Sequence, residues 1–252
     1  MKKILLLSTL VILCNVTLRA IIIESDTLTS VYDHVEKDTL VVFDVDDTIA
    51  YPAQELGSSK WIDEFMTNQF KAKGLRGKDA FDSALHLHTV MQMFVDLHVV
   101  DNSDKIIKHL QAQGVDVIAH TNRPIAMAKR TVTQLKNTGI DFSQHAIGKT
   151  DLFLPVVRLA QFTHGILFGS LNNKGDTLVC FLEKADLKPK KVIFLDDSLR
   201  NLKNVEKALA NLDIAFVGIR FSGLDKHKQN FNEKQAETQT QNLLYKLGLA
   251  AS

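Results

Sequence analysis

Five short apolar runs, rich in Val, Ile and Phe, are the feature of this sequence that most restricts its fold. The runs cover residues 39–45, 115–120, 165–169, 191–195 and 214–219. Within each run the apolar residues are largely consecutive, which is typical of strands that are buried on both faces. Such strands occur in parallel sheets that are covered by helices on both sides.

Segments with helical patterning alternate with these runs. They cover residues 103–113, 124–138, 176–187 and 198–212. The first begins with a serine and ends before a glycine, and the second carries a proline in its first turn, as helix ends commonly do. The alternation of strands and helices predicts an α/β fold, a doubly wound parallel sheet of the Rossmann-like type.

Three stretches do not fit the alternation. Residues 51–100 predict an inserted unit of two helices, at about 58–73 and 78–99, separated by a glycine-containing link. Residues 141–164 have no clear period, which predicts a small hairpin or a loop. From about residue 222 the chain is polar, and we expect a solvated tail ending in a short helix, with a partner-binding segment as the alternative.

The N-terminus has the pattern of an export signal. Lys2 and Lys3 precede an apolar run that extends to Leu18, and a small residue, Ala20, follows. These parts predict a signal peptide over residues 1–20 and a mature domain over 21–252, which would be periplasmic or secreted. The run is shorter than the about 20 apolar residues of a membrane span, so no stable span is expected after cleavage. An uncleaved anchor is the alternative.

The charges and cysteines exclude several classes of partner. The chain has 30 basic and 29 acidic residues, and cleavage after Ala20 would leave 27 and 29. A nearly neutral chain offers no electrostatic basis for binding nucleic acid or an anionic membrane surface. Cys14 lies in the predicted signal, so Cys180 is left without an internal disulfide partner. We interpret Cys180 as a small buried apolar residue.

Acidic residues follow two of the predicted strands directly. Asp44 and Asp46 come after the first strand, and Asp196 and Asp197 come after the fourth. A lone Asp-x-Asp would indicate a solvated turn, but carboxylates at two buried strand ends are costly unless a cation compensates their charge. The carboxyl ends of parallel strands meet at one edge of the sheet. The sequence therefore predicts a Mg²⁺ site at this edge.

Two other strand ends carry groups that suit an anion. Thr121, Asn122 and Arg123 stand just before a predicted helix, and Lys174 opens another. The N-terminus of a helix favours bound anions such as phosphate. For Arg123, a contact to substrate and a position on the surface both remain open.

In this order the four motifs resemble those of the haloacid dehalogenase-like (HAD) superfamily. The resemblance spans residues 40–219. It lies in the apolar strand with Asp44-x-Asp46-x-Thr48, the strand ending in Thr121, the helix-opening Lys174, and the pair Asp196-Asp197. Lys149 is a weaker candidate for the third motif. The stretches at 56–61 and 173–175 are also similar to a group of exported bacterial HAD-like proteins.

The resemblance implies specific roles in phosphoryl transfer. Asp44 would be the nucleophile and form an aspartyl-phosphate intermediate. Asp46 would protonate the leaving alcohol and then activate water, for which we expect a raised pKa. Thr121 would donate a hydrogen bond to a phosphate oxygen, and Lys174 would balance the charge of Asp44 and the phosphoryl group.

The resemblance also implies the cofactor and the kind of substrate. Mg²⁺ would be held by the carboxylates of Asp44 and Asp196, the backbone carbonyl of Asp46, and Asp197 directly or through water. The insertion at 51–100 would be a helical cap that selects a small phosphorylated substrate. The implied activity is that of a HAD-type phosphatase, which hydrolyses a phosphate monoester with Mg²⁺. A phosphotransferase or mutase and an exported interaction protein on the same scaffold are the alternatives.

For four residues near these motifs, the sequence leaves two interpretations open. Thr48 could brace its turn or touch the site, and Asn201 could orient a metal-bound water or be a solvated polar residue on the helix surface. Tyr51 and Trp61 fall in the expected cap, where they could stack on a substrate ring or pack in the core of the cap.

Overall fold

The computed structural model describes residues 20–145, 147 and 151–248. In chain order the strands are β1 Ala20–Ser25, β2 Thr39–Phe43, β3 Ala50–Pro52, β4 Leu97–Val99, β5 Asp116–Thr121, β6 Leu152–Leu154, β7 Ala160–Thr163, β8 Ile166–Phe168, β9 Lys191–Asp196 and β10 Ala215–Phe221. The α-helices are α1 Thr67–Ala72, α2 Gly77–Met91, α3 Ser103–Ala112, α4 Ala128–Asn137, α5 Lys174–Lys184, α6 Leu199–Leu209, α7 Asp225–Gln229 and α8 Glu233–Lys246.

Eight strands form one sheet, in the order β1-β10-β9-β2-β5-β8-β7-β6. The first six strands of this order run parallel, and β7 and β6 continue the sheet as an antiparallel hairpin. The five apolar runs of the sequence are β2, β5, β8, β9 and β10. The predicted α/β fold is therefore confirmed, and the stretch at 141–164 contains the small hairpin.

Strand β1 was missed from the sequence. It pairs in parallel with β10, from Ala20 opposite Phe216 to Ser25 opposite Phe221. Its isoleucines continue the apolar N-terminal run, so composition alone marks no boundary between them. Ala20, the last residue of the predicted signal, begins this strand; the preceding residues of that prediction lie outside the described part of the chain.

The core lies on both faces of the sheet. On one face, Val41 and Phe43 of β2 belong to the same apolar cluster as Ile107 and Leu110 of α3 and Leu135 of α4. On the other face, alternate residues of the same strands join apolar residues of α5 and α6 in a second cluster. Because successive residues of a strand point to opposite faces, a consecutive apolar run supplies both layers.

The insertion is built on a two-stranded antiparallel ribbon, in which Ala50 pairs with Val99. Between the two strands lie a π-helical turn, Trp61–Met66, and helices α1 and α2. The expected helix at 78–99 is too long, because α2 ends at Met91. The chain then needs an extended segment at Leu97–Val99 to pair with β3, and that pairing overrides the helical pattern of the sequence.

The C-terminal tail was expected to be solvated, but one face of its last helix is buried, so the expectation is wrong for that face. Helix α8 packs against the insertion, and its Ala236 is fully buried there. The indole Nε1 of Trp61 donates a hydrogen bond to Thr240 Oγ1 at 3.0 Å. Contacts between residues so far apart in sequence leave no local signal.

Two smaller expectations concern membrane spans and cysteine. Within the described ranges, no helix has both the length and the apolar character that crossing a bilayer requires. Cys180 is a free thiol in α5 and is only partly buried, which corrects the expectation of a core position. It packs against the apolar cluster that α5 and α6 share with the sheet.

Candidate functional site

Two parallel strands bring the acidic motifs together. The register sets Phe43 of β2 opposite Leu195 of β9, and the backbone N–H of Asp44 donates to Leu195 O at 2.8 Å. Carboxylate oxygens of Asp44, Asp196 and Asp197 lie within 4.8 Å of one another. The sheet edge therefore collects three carboxylates from two motifs that are separated by about 150 residues in sequence.

Lys174 stands between two of these carboxylates. Its Nζ lies 2.6 Å from Asp44 Oδ1 and 2.7 Å from Asp196 Oδ2. The lysine is at the start of α5, where the side chain of Asn173 accepts hydrogen bonds from two N–H groups of the first turn. With its side chain 1% exposed, Lys174 supplies a buried positive charge to the acidic site.

Gly175 allows the helix that carries Lys174 to lie close to its neighbour. A Cβ atom on Gly175 would come within 2.3 Å of the backbone oxygen of Asn204 in α6. No side chain fits at that distance, so the position requires glycine for packing. The close approach of α5 and α6 fixes the place from which Lys174 extends to the site.

The carboxylates repel one another strongly enough to perturb their titration. Burial raises the pKa of Asp44 well above its usual range; Lys174 opposes this shift, and Asp196 and Asp197 add to it. Burial and the neighbouring Asp196 also raise the pKa of Asp197. A divalent cation between these oxygens would relieve the repulsion, and oxygen ligands of this kind suit Mg²⁺.

Hydrogen bonds orient the acidic pair. Asn201 Nδ2 lies 3.0 and 3.2 Å from the two carboxylate oxygens of Asp196, and the residue is buried, so the interpretation of Asn201 as a polar residue on the helix surface is wrong. Thr48 Oγ1 accepts a hydrogen bond from the N–H of Asp197 at 3.1 Å and braces the two acidic turns against each other. Lys228 Nζ, from α7 in the C-terminal tail, lies 2.7 Å from Asp197 Oδ2. No sequence signal indicated Lys228.

Asp46 forms an ion pair with Arg123. Arg123 donates from Nε to Asp46 Oδ2 at 2.9 Å and from Nη2 to Asp46 Oδ1 at 2.6 Å. The arginine side chain is 4% exposed and that of Asp46 is 37% exposed. The surface reading of Arg123 is therefore wrong, and Asp46 presents a carboxylate that is held from one side and open on the other.

The pairing also overturns the expected titration of Asp46. Burial by itself would raise the pKa of Asp46, but the charge and hydrogen bonds of Arg123 outweigh it and hold the pKa below its usual value. An adjacent guanidinium stabilises the ionised carboxyl group. The expectation of a raised pKa was wrong because it considered only the position of Asp46 after a buried strand. It did not include the charge of Arg123, which lies 77 residues away in sequence.

Thr121 closes the same edge of the sheet at the end of β5. It is fully buried, and its Oγ1 accepts a hydrogen bond from the N–H of Arg123 at 3.1 Å. A hydroxyl that accepts one bond still has its own hydrogen to donate. Lys149, the weaker candidate for the third motif, lies outside the described residues.

A cavity of about 730 Å³ opens beside Asp46, between the insertion and the sheet. The insertion contributes Ile62, Leu85 and His88, and the core contributes Asn122 and Met127, among others. The insertion and the core therefore face each other across this cavity. Trp61 is fully buried in the cap core, as its packing interpretation predicted, and it does not line this cavity.

Tyr51 lies in the two-stranded ribbon of β3 and β4, where it pairs with His98. Its ring centroid is 5.5 Å from that of His98 and 4.9 Å from that of His227. Together with Lys228 these rings line a second, smaller cavity of about 270 Å³. Tyr51 thus contacts the C-terminal tail and not the larger cavity.

The fold and the clustered acids define an α/β protein with a mostly parallel eight-stranded sheet and a candidate acidic metal site at one edge of it. Within that class, the chain belongs to the family described as "Protein of unknown function (DUF2608)", whose sequence model matches residues 24–250.

Among related proteins, one from Chlamydia trachomatis named "Putative outer membrane protein" is 26% identical over 188 residues, which cover 74% of this chain and 70% of the relative. A class C acid phosphatase from Bacillus anthracis aligns with a TM-score of 0.39 and 14% identity, covering 83% of this chain and 80% of the other. A haloacid dehalogenase-like family hydrolase from Streptococcus pneumoniae aligns with a TM-score of 0.44 and 14% identity, covering 76% and 97%. Structural similarity at this level does not bear on activity or substrate.

Proposed function

We propose that this protein is an exported HAD-type phosphatase that hydrolyses a small phosphate monoester with Mg²⁺, using Asp44 as the nucleophile. The observation that carries the proposal is the charge arrangement around Asp44. Lys174 touches both Asp44 and Asp196, and the carboxylate of Asp197 lies in the same cluster. A packed core gains nothing from three adjoining carboxylates, whereas phosphoryl transfer requires a nucleophile and charge compensation at one point.

The residues present fit a magnesium ion. Asp44, Asp196 and Asp197 would hold it through carboxylate oxygens, and Asp46 through its backbone carbonyl. Burial and mutual repulsion raise the pKa values of Asp44 and Asp197, and a bound cation would offset both effects. When bound, the ion would shield the repulsion between the attacking carboxylate and the phosphate oxygens.

The chemistry then proceeds in two displacements at phosphorus. Asp44 Oδ attacks the phosphorus atom, the bond to the alcohol oxygen breaks, and Asp46 transfers its proton to that oxygen. In the second step Asp46 takes a proton from water, the water oxygen attacks the phosphorus, and the bond to Asp44 breaks to release inorganic phosphate. A bound phosphate ester carries negative charge beside Asp46, which favours the protonated carboxyl group and opposes the effect of Arg123.

Lys174 and Thr121 would stabilise the phosphoryl group during both steps. The ammonium group of Lys174 already contacts Asp44 and would balance negative charge as it builds up on the phosphate oxygens. The hydroxyl of Thr121 would donate a hydrogen bond to one of those oxygens. Both groups are buried, which strengthens their electrostatic effect relative to water.

The cavity sets the scale of the substrate. A volume of about 730 Å³ lies within the roughly 300–1,000 Å³ of small-molecule sites. Because the cap covers the site, an alcohol of small-molecule size is a better fit than a folded phosphoprotein. Cavity walls from both the cap and the core would surround such a substrate and exclude water from the first displacement.

Export is the remaining part of the proposal. The predicted signal peptide over residues 1–20 points to a periplasmic or secreted protein. The names of relatives such as the Chlamydia trachomatis protein agree with a location beyond the inner membrane. Fractionation of cells that express the full chain would test this, and recovery of the protein only in the cytosol would contradict it.

Release of inorganic phosphate from a panel of small phosphate esters tests the activity. We expect turnover with Mg²⁺, none with chelator, and a loss of at least about 1,000-fold in Asp44→Asn. Asp176→Asn, which changes an exposed acid in the first turn of α5, is the matched control and should retain full turnover.

Each competing activity has its own signature. Release of alcohol without an equal amount of phosphate, in the presence of an acceptor alcohol, would indicate a phosphotransferase. Absence of turnover from folded, Mg²⁺-loaded protein would contradict the phosphatase proposal. Partner binding that survives Asp44→Asn would then support the interaction protein.

A further inference from the structure

The guanidinium of Arg123 has no donor left over for a substrate. Nε and Nη2 bind the two oxygens of Asp46. Nη1 donates to Thr131 Oγ1 at 3.0 Å and to Gln134 Oε1 at 2.8 Å, and Nη2 also points to Gln92 Oε1 at 3.5 Å. A guanidinium group has five N–H donors, and these contacts account for all five.

The two-bond contact from Arg123 fixes the orientation of the Asp46 carboxylate. Two parallel N–H···O bonds from an arginine set both the position and the plane of a carboxylate. Thr131 and Gln134, which hold Arg123 from the other side, are both buried in α4. Asp46 is thereby connected to a rigid helix of the core, although its own side chain projects toward the cavity.

The same network reaches the cap. Gln134 Nε2 donates to the backbone oxygens of Gln92 at 3.1 Å and Val95 at 2.6 Å, both just beyond α2. Gln92 Nε2 in turn donates to Gly57 O at 2.6 Å, near the start of the cap. The cap and the core thus share one buried hydrogen-bond network, and Arg123 is the member that touches Asp46.

We propose that Arg123 is a positioning residue: it holds Asp46 in the orientation needed for proton transfer to the leaving oxygen, and Gln134 and Gln92 make that orientation depend on the seated cap. The inference rests on the proposed phosphatase activity. It assigns to Arg123 an effect that passes through Asp46 rather than through a contact to phosphate.

A leaving-group series distinguishes this role from simple loss of folding. Good leaving groups such as 4-nitrophenol depart without a proton, whereas simple alcohols need one. In Arg123→Ala, kcat/KM for an alkyl phosphate should fall by about 100-fold, and kcat/KM for 4-nitrophenyl phosphate should fall by less than about 3-fold. The ratio kcat/KM covers the steps up to leaving-group departure, so the later use of Asp46 as a base does not enter.

Chemical rescue and a matched control variant test the same role of Arg123 independently. Added guanidinium ion should restore alkyl phosphate turnover in Arg123→Ala, and ammonium ion should not. Arg130→Gln is the control: Arg130 Nη2 also donates to Val95 O, at 2.8 Å, but its ion pair is with Asp96. It should leave the leaving-group dependence unchanged. Gln134→Met, which weakens the support of Arg123, should show the same selective loss to a smaller extent.

Two results would overturn the positioning role of Arg123. One is an equal loss of kcat/KM in Arg123→Ala for all leaving groups, and the other is a failure of guanidinium ion to restore activity. If Arg123→Ala does not fold, Arg123→Lys keeps the charge but not the two-pronged contact, and the same selective loss is expected.

The inference can fail separately from the proposed function. If the wild type turns over no ester, the proposed function fails, and crystal structures of Arg123→Ala with and without guanidinium ion still decide the positioning claim. An Asp46 carboxylate that keeps its place in both crystals would overturn it. A carboxylate that moves without guanidinium and returns with it would support it.

Discussion

Replacing Lys174 by methionine should destabilise the protein strongly unless Mg²⁺ is present. Methionine is similar in length to the apolar part of lysine, so the change removes a charge and leaves little void. Lys174 is buried and contacts the carboxylates of Asp44 and Asp196, which are 6% and 0% exposed. In the variant, two buried acids face each other without an ammonium group between them.

The expected magnitude follows from the burial of the pair. Removing one partner of a buried ion pair costs about 3–5 kcal/mol. For a domain of 150–250 residues, each kcal/mol lowers the melting temperature by about 2–4 °C. The melting temperature of Lys174→Met in chelator should therefore lie roughly 6–20 °C below that of the wild type. Uptake of a proton by Asp44, whose pKa is already raised, would bring the loss toward the lower end.

Thermal unfolding followed by circular dichroism measures the effect. Saturating Mg²⁺ should raise the melting temperature of Lys174→Met by more than that of the wild type, because the cation replaces the missing charge and binds only the folded state. Lys184→Met, at the exposed end of the same helix, is the control and should change the melting temperature by less than about 2 °C. An unchanged melting temperature in chelator would refute the charge argument. If Mg²⁺ stabilised the wild type but not the variant, this would refute the claim that Mg²⁺ and Lys174 neutralise the same carboxylates.

Three further predictions follow from packing and charge. Gly175→Ala should lower the free energy of unfolding by about 1–3 kcal/mol, because its Cβ would collide with Asn204 O, and denaturant unfolding measures this. Thr240→Val leaves the buried Nε1 of Trp61 without its acceptor and should lower the free energy of unfolding by about 1–3 kcal/mol. Fluorescence of Trp61, the single tryptophan, measures this change, and an unaltered unfolding curve would contradict the prediction. Lys228→Met removes a cation from Asp197 and should tighten Mg²⁺ binding by roughly 3- to 10-fold in calorimetry, whereas weaker binding would show that Lys228 acts mainly to orient Asp197.

The sequence alone determined five adjoining parallel strands of the sheet and most of the residues of the acidic site. The five consecutive apolar runs predicted five parallel strands, because burial on both faces removes the polar alternation of an exposed strand. Asp44, Thr121, Lys174 and Asp196 were predicted together because each follows a strand or opens a helix. In a parallel sheet such positions meet at one edge, so local sequence position implies spatial position.

The tertiary structure decided which partners those residues have. Arg123 lies 77 residues from Asp46 and Lys228 lies 31 residues from Asp197, and both pairs alter the pKa of the carboxyl group involved. The titration of Asp46 could not be predicted correctly from its strand end for this reason. The cap–tail contact between Trp61 and Thr240 is equally distant in sequence. Motifs are encoded by neighbouring residues in the chain, whereas pKa values and cap placement depend on side chains that only folding brings within a few ångströms of one another.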